Sequence, residues 1–365
     1  MATYKEISRN NWKVTITVSN DNGKRKRVSK QGFKSKAEAK KYANRIENEI
    51  SMNYDLTETE NIYMKDFIYE WYYDHKSLEI AITTKGSYLG RIKNYIVPLL
   101  GDYKLSEMNN RISQNFYNKL IREYNLKPAT AKKVFEILSS CLKYAKKQNL
   151  INTVCTDITK LKSKKEDILC WDQSETNFFL SEIEDDYLYT PVLITILTGL
   201  RIGELCGLRW EDIDFKKRIL NVRNQVIQDK LNNTLIFTDK LKTPTSYRKI
   251  TLPKVLLEHL LYIKKMTAPS DKDFIIVNSD DEMCNPRNIS VRFSKKVAKY
   301  PQLKQITFHG LRHTHATILI EEKENIKVVS ERLGHKDVSI TLDIYTHTSE
   351  KMHYETAHTL DCLFG

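Results

Sequence analysis

The sequence predicts a multidomain, mainly α-helical chain, with a small β-sheet near its N-terminus and a small β insert in its C-terminal half. Three observations predict this architecture. At 365 residues the chain is longer than one typical domain. Apolar residues recur at helical spacing through most of it, whereas strand-like patterns mark its beginning and one insert. With 41% apolar and 29% charged residues, the chain can bury a core.

Residues 1–55 are predicted to form a small domain in which one helix lies across a short sheet. Apolar and polar side chains alternate over residues 12–18, which is typical of a half-buried strand. The Asn-Gly pair at residues 22–23 favours a hairpin turn. Residues 35–38 have the spacing of a capping box, which predicts the start of the helix.

The second predicted strand of this domain is strongly basic. Residues 1–50 hold 13 Lys and Arg against 5 Asp and Glu, which gives +8 of the net charge of +13. A basic sheet that faces solvent can enter a DNA groove, although the pattern also fits a solvated charged hairpin. The candidate DNA contacts are Lys24, Arg25, Lys26, Arg27 and Lys30.

The next domain, residues 60–155, is predicted to contain four helices. Residues 51–62 before its first helix are polar and are interpreted as a linker. Four later stretches repeat apolar residues at the spacing i, i+3, i+4. The second stretch runs up to Pro98, and Pro128 is placed to open the fourth. We interpret the aromatic side chains of these helices as core.

A lysine-rich segment, residues 156–170, has no clear period and is interpreted as a basic linker that crosses DNA. Lys160 and Lys162 are its candidate DNA contacts. The remainder, residues 171–365, is predicted to be mostly helical. A strand-rich insert is expected there from about residue 213 to residue 252.

Charge and composition also restrict the class of protein. A net charge of +13 favours a polyanionic partner. The beginning of the chain has no apolar signal segment. The longest apolar stretch, around Pro191 to Leu200, is far below the roughly 20 residues that span a bilayer. We therefore expect a cytoplasmic protein without a membrane partner, and we expect its six cysteines to be reduced.

A scattered set of basic residues and one tyrosine stands out in the C-terminal half. Two arginines can hold a phosphodiester by charged, forked hydrogen bonds, and histidines can donate or exchange protons. A lysine can protonate a leaving 5′ oxygen, and a tyrosine can attack to form a phosphate ester. Such an exchange of esters conserves bond energy and needs no ATP. The members are Arg201, Lys242, His309, Arg312, His335 and Tyr345.

Other interpretations of these residues stay open. His309 and His313 have the i, i+4 spacing of metal ligands, but the glutamate of an HExxH motif is absent. Arg312 would also place a cation beside the metal, so we expect neither a metal nor a cofactor. His313 and His315 are expected to be buried hydrogen-bonding groups. The competing candidates are Tyr354 and Tyr247 for the nucleophile, and Lys240 and Lys249 for the acid.

The segments TGLRIGEL, HGLRHTHAT and LGHKDVSITLDIYTH resemble the signature segments of the tyrosine recombinases. The resemblance implies one role for each residue of the set, and it adds a supporting acid. These residues are the first arginine Arg201, the supporting Glu204, the hairpin lysine Lys242, the His-x-x-Arg pair His309 and Arg312, the second histidine His335 and the nucleophile Tyr345.

The same resemblance implies names and partners for the predicted domains. Residues 1–55 would bind arm-type DNA sites, residues 60–155 would be a helical core-binding domain, and residues 171–365 would be the catalytic domain with a C-terminal tail. The implied enzyme is a site-specific integrase that integrates or excises a prophage or mobile element through a 3′-phosphotyrosine intermediate.

The implied partners are double-stranded DNA with core and arm attachment sites, and further copies of the chain in a homotetramer. An excisionase and a host DNA-bending protein are also expected. The amphipathic tail, residues 349–365, would pack either on a neighbouring protomer or on its own core. A type IB topoisomerase-like enzyme and a catalytically silent DNA-binding protein are the alternative functions.

Overall fold

The structure is a computed structural model, and the chain divides into two compact units, Met1–Lys164 and Lys165–Gly365. No helix of the part that the structure describes is long and apolar enough to cross a membrane. The described residues are 2–8, 11–19, 25–54, 62–162, 169–241, 244–335, 337–338, 342 and 360–364.

The chain begins with an antiparallel sheet of three strands, β1 (Ala2–Ser8), β2 (Asn11–Ser19) and β3 (Arg25–Phe33), in the order β1-β2-β3. Helix α1 (Lys36–Tyr54) packs on it. The predicted sheet with one helix is thereby confirmed, although its first strand, β1, was not predicted. The predicted turn at residues 22–23 lies outside the described residues. The buried side chains of this core are Val14, Ile16, Phe33, Ala39 and Ala43.

Helix α1 begins where the capping pattern predicts and ends later than expected. The Ser35 hydroxyl accepts a hydrogen bond from the Glu38 N–H at 3.2 Å, and the Glu38 carboxylate accepts one from the Lys34 N–H at 2.8 Å. The helix then continues to Tyr54, so the prediction that residues 51–62 form a linker is wrong at its beginning. Polar residues without Gly or Pro do not end a helix that has already formed.

Four helices follow in the first unit, as predicted. The aromatic side chains interpreted as core are buried, among them Trp71, Tyr72 and Phe116. The helices are α2 (Met64–Glu70, a π-helical turn Trp71–Lys76, and Ser77–Glu79), α3 (Ile82–Arg91, a π-helical turn Ile92–Ile96, and Val97–Leu100), α4 (Asn110–Arg122) and α5 (Pro128–Lys147).

Helix α3 passes through Pro98 instead of stopping before it. Proline has no N–H, and its ring clashes with a carbonyl of the preceding turn in a regular α-helix. Pro98 lies in the first turn of the α-helical segment Val97–Leu100, which directly follows the π-helical turn Ile92–Ile96. Proline is tolerated in the first turn of an α-helix. The helix can therefore continue to Leu100.

The beginning of the predicted basic linker lies against helices α4 and α5. The Gln114 side chain accepts from the Thr159 N–H at 2.8 Å and donates to the Thr159 carbonyl at 3.1 Å. The Lys160 Nζ atom lies 4.9 Å from the centroid of the Phe135 ring. Residues 163–168 lie outside the described residues.

The second unit is mostly helical and contains the predicted β insert. Its helices are α6 (Gln173–Glu182), α7 (Tyr189–Thr198), α8 (Ile202–Cys206), α9 (Lys254–Thr267), α10 (Pro286–Val297), α11 (Phe308–Glu321) and α12 (Ile326–Leu333). Its strands are β4 (Ile213–Asp214), β5 (Ile219–Val222), β6 (Gln225–Asp229), β7 (Thr234–Thr238) and β8 (Arg248–Thr251).

The insert forms two small antiparallel sheets. Strands β4, β5 and β8 form one sheet in that order, and β6 and β7 form a hairpin. Asn233 closes the hairpin with a φ of 53°, a conformation that asparagine tolerates better than most residues. Lys242 belongs to the connection from β7 to β8 and lies outside the described residues.

Of the amphipathic tail, only residues 360–364 belong to the described part of the chain. They are helical, and their apolar side chains Leu360, Leu363 and Phe364 are exposed. Whether the tail packs on its own protomer or on a neighbour stays a prediction.

Candidate active site

A sharp turn at Gly199 brings the chain from α7 to Arg201. Gly199 ends the helix in the left-handed region, with a φ of 68°. A Cβ atom at this position would come within 2.7 Å of the His315 and Leu333 side chains. Glycine is therefore required both for the conformation and for the close approach of α11 and α12.

Arg201 is held by the helix that it precedes and by a backbone carbonyl far along the chain. Its N–H donates to one oxygen of the Glu204 carboxylate at 2.9 Å, and its Nη1 donates to the other at 2.7 Å. Its Nη2 donates to the Gly334 carbonyl at 3.1 Å. Glu204 is buried, whereas 31% of the Arg201 side chain is exposed, so an anchored guanidinium still reaches solvent.

Arg312, on α11, is anchored to the same two stretches of backbone. Its Nη1 donates to the Gly199 carbonyl at 2.5 Å and its Nη2 to the Leu333 carbonyl at 2.7 Å. Burial, and then the charge of Arg201, lower the pKa of Arg312 to about 9, so it stays protonated at neutral pH. The two arginines thus join residues 199–201 to residues 333–334.

Gly334 ends α12 and sets the position of His335. Its φ of 67° again lies in the left-handed region. A Cβ atom here would come within 2.9 Å of the Thr245 carbonyl oxygen and 3.1 Å of the Arg248 Cδ. The residue that presents its carbonyl to Arg201 must therefore be glycine, and His335 follows it directly.

His309 and His335 lie in the field of the two arginines. His309 precedes Arg312 by one turn of α11 and is exposed to solvent. The pKa of His309 is lowered first by partial desolvation of its ring and then by the charges of Arg312 and Arg201. Burial, followed by the same two charges, lowers the pKa of His335 to about 4. The His335 imidazole is therefore neutral at pH 7.

The two neighbouring histidines of α11, His313 and His315, differ in burial and hydrogen bonding. His315 is buried, and its Nδ1 lies 2.6 Å from the Ile196 carbonyl. Because a carbonyl only accepts, this nitrogen carries the proton. His313 is half-buried, and its ring lies 4.9 Å from that of His309. Its buried Nδ1 has no hydrogen-bond partner among the described residues, so the prediction of a buried hydrogen-bonding group is wrong for His313. Within the described ranges, no group of three or more His, Cys, Asp or Glu side chains is placed to hold a metal ion.

The structure brings four of the six predicted catalytic residues together, namely Arg201, His309, Arg312 and His335. Lys242 and Tyr345 lie outside the described residues, as does the rival Tyr354. The competing lysines, Lys240 and Lys249, are both exposed. The chemical roles of all six residues stay predictions.

The candidate DNA contacts of the first unit are surface residues where the structure describes their side chains. Lys30 is exposed and pairs across the sheet with Val14, which is buried against α1. Lys30 therefore lies on the side of the sheet that carries the helix, and its Nζ is 4.8 Å from the centroid of the Tyr42 ring. Lys160 and Lys162 are exposed. The remaining candidates, whose side chains are outside the description, are Lys24, Arg25, Lys26 and Arg27.

The sequence-based prediction missed Arg248, a buried residue at the start of β8. Its Nη2 donates to Glu204 at 2.9 Å, and its Nε donates to the Arg332 carbonyl at 2.7 Å. A signal was present in the sequence, because Arg248 and the buried Ile250 alternate with exposed residues along one strand. An arginine at a core-facing position requires an acidic partner.

Three family profiles cover most of the chain in the predicted order. The phage integrase family matches residues 172–352, an arm DNA-binding domain matches residues 3–50, and a phage integrase N-terminal SAM-like domain matches residues 64–121. The chain belongs to the phage integrase family of tyrosine recombinases. The predicted family and the predicted activity, site-specific recombination of mobile DNA, are thereby confirmed.

Tyrosine recombinases and integrases of known sequence are similar to this chain over most of its length. The tyrosine recombinase XerC-like protein of Caldanaerobacter subterraneus subsp. tengcongensis is 28% identical, over 99% of this chain and 98% of its own. The integrase of Staphylococcus phage L54a is 29% identical, over 80% of this chain and 91% of its own.

Solved integrase structures share the fold. The Tn1549 transposon integrase in complex with transposon right end DNA has a TM-score of 0.69 at 20% identity, over 82% of this chain and 100% of its own. A lambda integrase tetramer bound to a Holliday junction has a TM-score of 0.58 at 18% identity, over 92% of this chain and 95% of its own. The predicted fold class is confirmed by these matches together with the family profiles.

Proposed function

We propose that this integrase cuts and rejoins DNA through an ester between Tyr345 and a 3′ phosphate, without a metal ion or ATP. The observation that carries the proposal is the pair of arginines, Arg201 and Arg312, fixed to the same two backbone segments. Anchored cations of this kind suit a phosphodiester, whose transition state gathers negative charge on its non-bridging oxygens.

The guanidinium groups support this role because they are already in place before DNA binds. Each carries five N–H groups, and the two carbonyl contacts of Arg312 leave up to three for phosphate oxygens. Donors that need no reorganisation during the reaction are each worth roughly 10²–10³ in rate.

Proton transfers would be divided between the histidines and a lysine. The Tyr345 hydroxyl gives its proton to a neutral imidazole of His309 or His335 as its oxygen attacks phosphorus. The bond from phosphorus to the 5′ oxygen breaks, and Lys242 protonates that oxygen. Rejoining is the reverse, with the 5′ hydroxyl of another strand displacing the tyrosine.

The same proposal includes the DNA sites and the assembly. Double-stranded DNA would be bound at core sites by residues 60–155 and 171–365, with residues 156–170 as the linker between them, and at arm sites by residues 1–55. A homotetramer, an excisionase and a host DNA-bending protein complete it, in the cytoplasm. Support comes from the basic N-terminal sheet and from the lambda integrase structures, which show a dimer bound to a COC′ core site and a tetramer on a Holliday junction.

Covalent trapping on a nicked suicide duplex tests the chemistry. The duplex carries the core site, the buffer contains EDTA and no ATP, and the denatured products are separated by size. We expect the wild-type chain and the matched Tyr354→Phe variant to give a slow protein–DNA band, and Tyr345→Phe to bind DNA without giving one. A band that persists in Tyr345→Phe would show that another residue is the nucleophile.

Two further outcomes separate the alternative functions. A bound site that yields no band with any variant would favour a catalytically silent DNA-binding protein. Relaxation of supercoiled DNA without strand exchange between two defined sites would favour the topoisomerase-like enzyme. Exchange of strands between the sites supports the integrase.

A further inference from the structure

Arg248 joins three segments that lie far apart in the sequence. Its guanidinium donates to the Glu204 carboxylate, to the Arg332 carbonyl and, at 3.0 Å, to the Ser246 carbonyl. Only 6% of its side chain is exposed. It thus ties α8, the C-terminal turn of α12 and the connection that follows Lys242 into one arrangement.

The Glu204 carboxylate accepts hydrogen bonds from two arginines. One of its oxygens, Oε2, accepts from both the Arg201 N–H and the Arg248 Nη2, while Oε1 accepts from the Arg201 Nη1. A buried carboxylate is stable as an anion only when such partners surround it. Arg248 is the more deeply buried of the two partners, with 6% of its side chain exposed against 31% for Arg201.

We propose that Arg248 is a positioning residue for DNA cleavage: it keeps Glu204 ionised, and the ionised Glu204 in turn holds the Arg201 guanidinium where it can contact the phosphate. This inference rests on the proposed function, because it concerns the same reaction. Arg248 itself need not touch DNA.

The electrostatics around Glu204 agree with this arrangement. Burial alone would raise the pKa of the Glu204 carboxyl, yet the charge of Arg248, followed by that of Arg201, holds it below its usual value. A further cation, Arg312 of α11, also interacts with Glu204, whose negative charge raises the pKa of Arg312. The charge of Arg248 also lowers the pKa of Arg332, in the last turn of α12, and of His335, which follows this helix.

A pH dependence follows when the Arg248 charge is removed. The buried Glu204 then keeps one cationic partner instead of two, its pKa rises, and it takes up a proton as the pH falls. Protonated Glu204 no longer fixes Arg201 by charge. Cleavage by Arg248→Gln should therefore fall about tenfold for each pH unit below the new pKa, and should recover above it.

Single-turnover cleavage of the suicide duplex between pH 6 and 8.5 tests the inference, with each rate divided by the wild-type rate at the same pH. For Arg248→Gln, we expect this ratio to be at least tenfold lower at pH 6 than at pH 8.5. Arg248→Lys keeps the charge and should show a pH-independent ratio. The double variant Glu204→Gln, Arg248→Gln should also lose the pH dependence, because the group that titrates is gone.

Arg332→Gln is the matched control. Arg332 is a half-buried arginine near Arg248, but its guanidinium donates to the neutral carbonyls of Thr251 and Leu197. Any loss of rate in this variant should be the same at every pH. A pH-independent ratio for Arg248→Gln, or an equal slope in Arg332→Gln, would overturn the inference.

The outcomes separate this inference from the proposed function. A wild-type chain that forms no adduct contradicts the function, whereas a wild-type adduct with a flat Arg248→Gln profile contradicts only the positioning role. Should Arg248→Gln fail to fold, Glu204→Gln decides: cleavage at the wild-type rate by that variant would rule the role out, and a tenfold or larger loss with unchanged DNA affinity would support it.

Discussion

The cations of the candidate active site and those of the N-terminal sheet differ in burial and in how firmly they are held. In the second unit, Arg312 is buried and Arg201 is partly buried, and each is fixed by hydrogen bonds to backbone carbonyls. In the N-terminal sheet, Lys5 is exposed and pairs directly across the strands with Lys13. Like charges placed opposite each other on a sheet repel, and an anion bound over the pair would relieve that repulsion.

The difference shows what each kind of charge can do. A buried, anchored guanidinium is costly to place but has a defined position, as transition-state stabilisation requires. An exposed lysine has no fixed position, and it contributes to affinity chiefly by replacing counterions along the phosphate backbone. Catalysis should therefore depend on the geometry of the arginines, and arm binding on the number of lysines.

Replacing Arg312 by lysine should cause the largest loss of cleavage rate. The substitution keeps the charge but removes the forked donors that reach Gly199 and Leu333. We expect single-turnover cleavage to fall by about 10²–10³ while affinity for the core site at fixed salt stays within a few-fold. Cleavage near the wild-type rate would show that charge alone is sufficient.

Each of the two regions contains a left-handed glycine, and replacing it by alanine separates an effect on stability from an effect on cleavage. Gly334 and Gly32 both have positive φ, 67° and 102°, so alanine should cost about 1–3 kcal/mol of stability at either position. Only at Gly334 would the new Cβ press on a backbone oxygen, that of Thr245. Urea unfolding should show losses in both variants, whereas cleavage of a core site should fall only in Gly334→Ala.

The smallest effect is expected from single lysines of the sheet. Lys13→Gln should reduce the slope of log K against log salt for arm-site DNA by about 0.9, since one phosphate contact is lost. Cleavage at the core site should not change. Lys30→Gln tests the other face, because Lys30, a DNA contact predicted from the sequence, lies on the side of the sheet that carries α1, where we expect a smaller change in slope. An equal change in slope for both would mean that both faces meet DNA.

Patterns that repeat along the chain could be predicted because they reflect local geometry. Alternation over residues 12–18 predicted β2, and i, i+3, i+4 spacing predicted the four helices of residues 64–147. The errors concern the ends of helices, because whether a helix continues depends on the turns that are already formed and not only on the residue at that position. Polar residues did not end α1 at residue 50, and Pro98 did not end α3, because it lies in the first turn of the segment Val97–Leu100.

Periodicity and short motifs, which are properties of neighbouring residues, were enough to predict the order of the domains, the four helices of residues 64–147 and most of the basic residues of the site. What holds the arginines depends on tertiary contacts. Arg312 donates to a carbonyl 113 residues away and Arg201 to one 133 residues away. Arg248 lies 44 residues from the carboxylate that it shares with Arg201. Such partners are chosen by the packing of α7, α11 and α12 around two left-handed glycines, and no local pattern encodes which backbone oxygen will face a buried guanidinium.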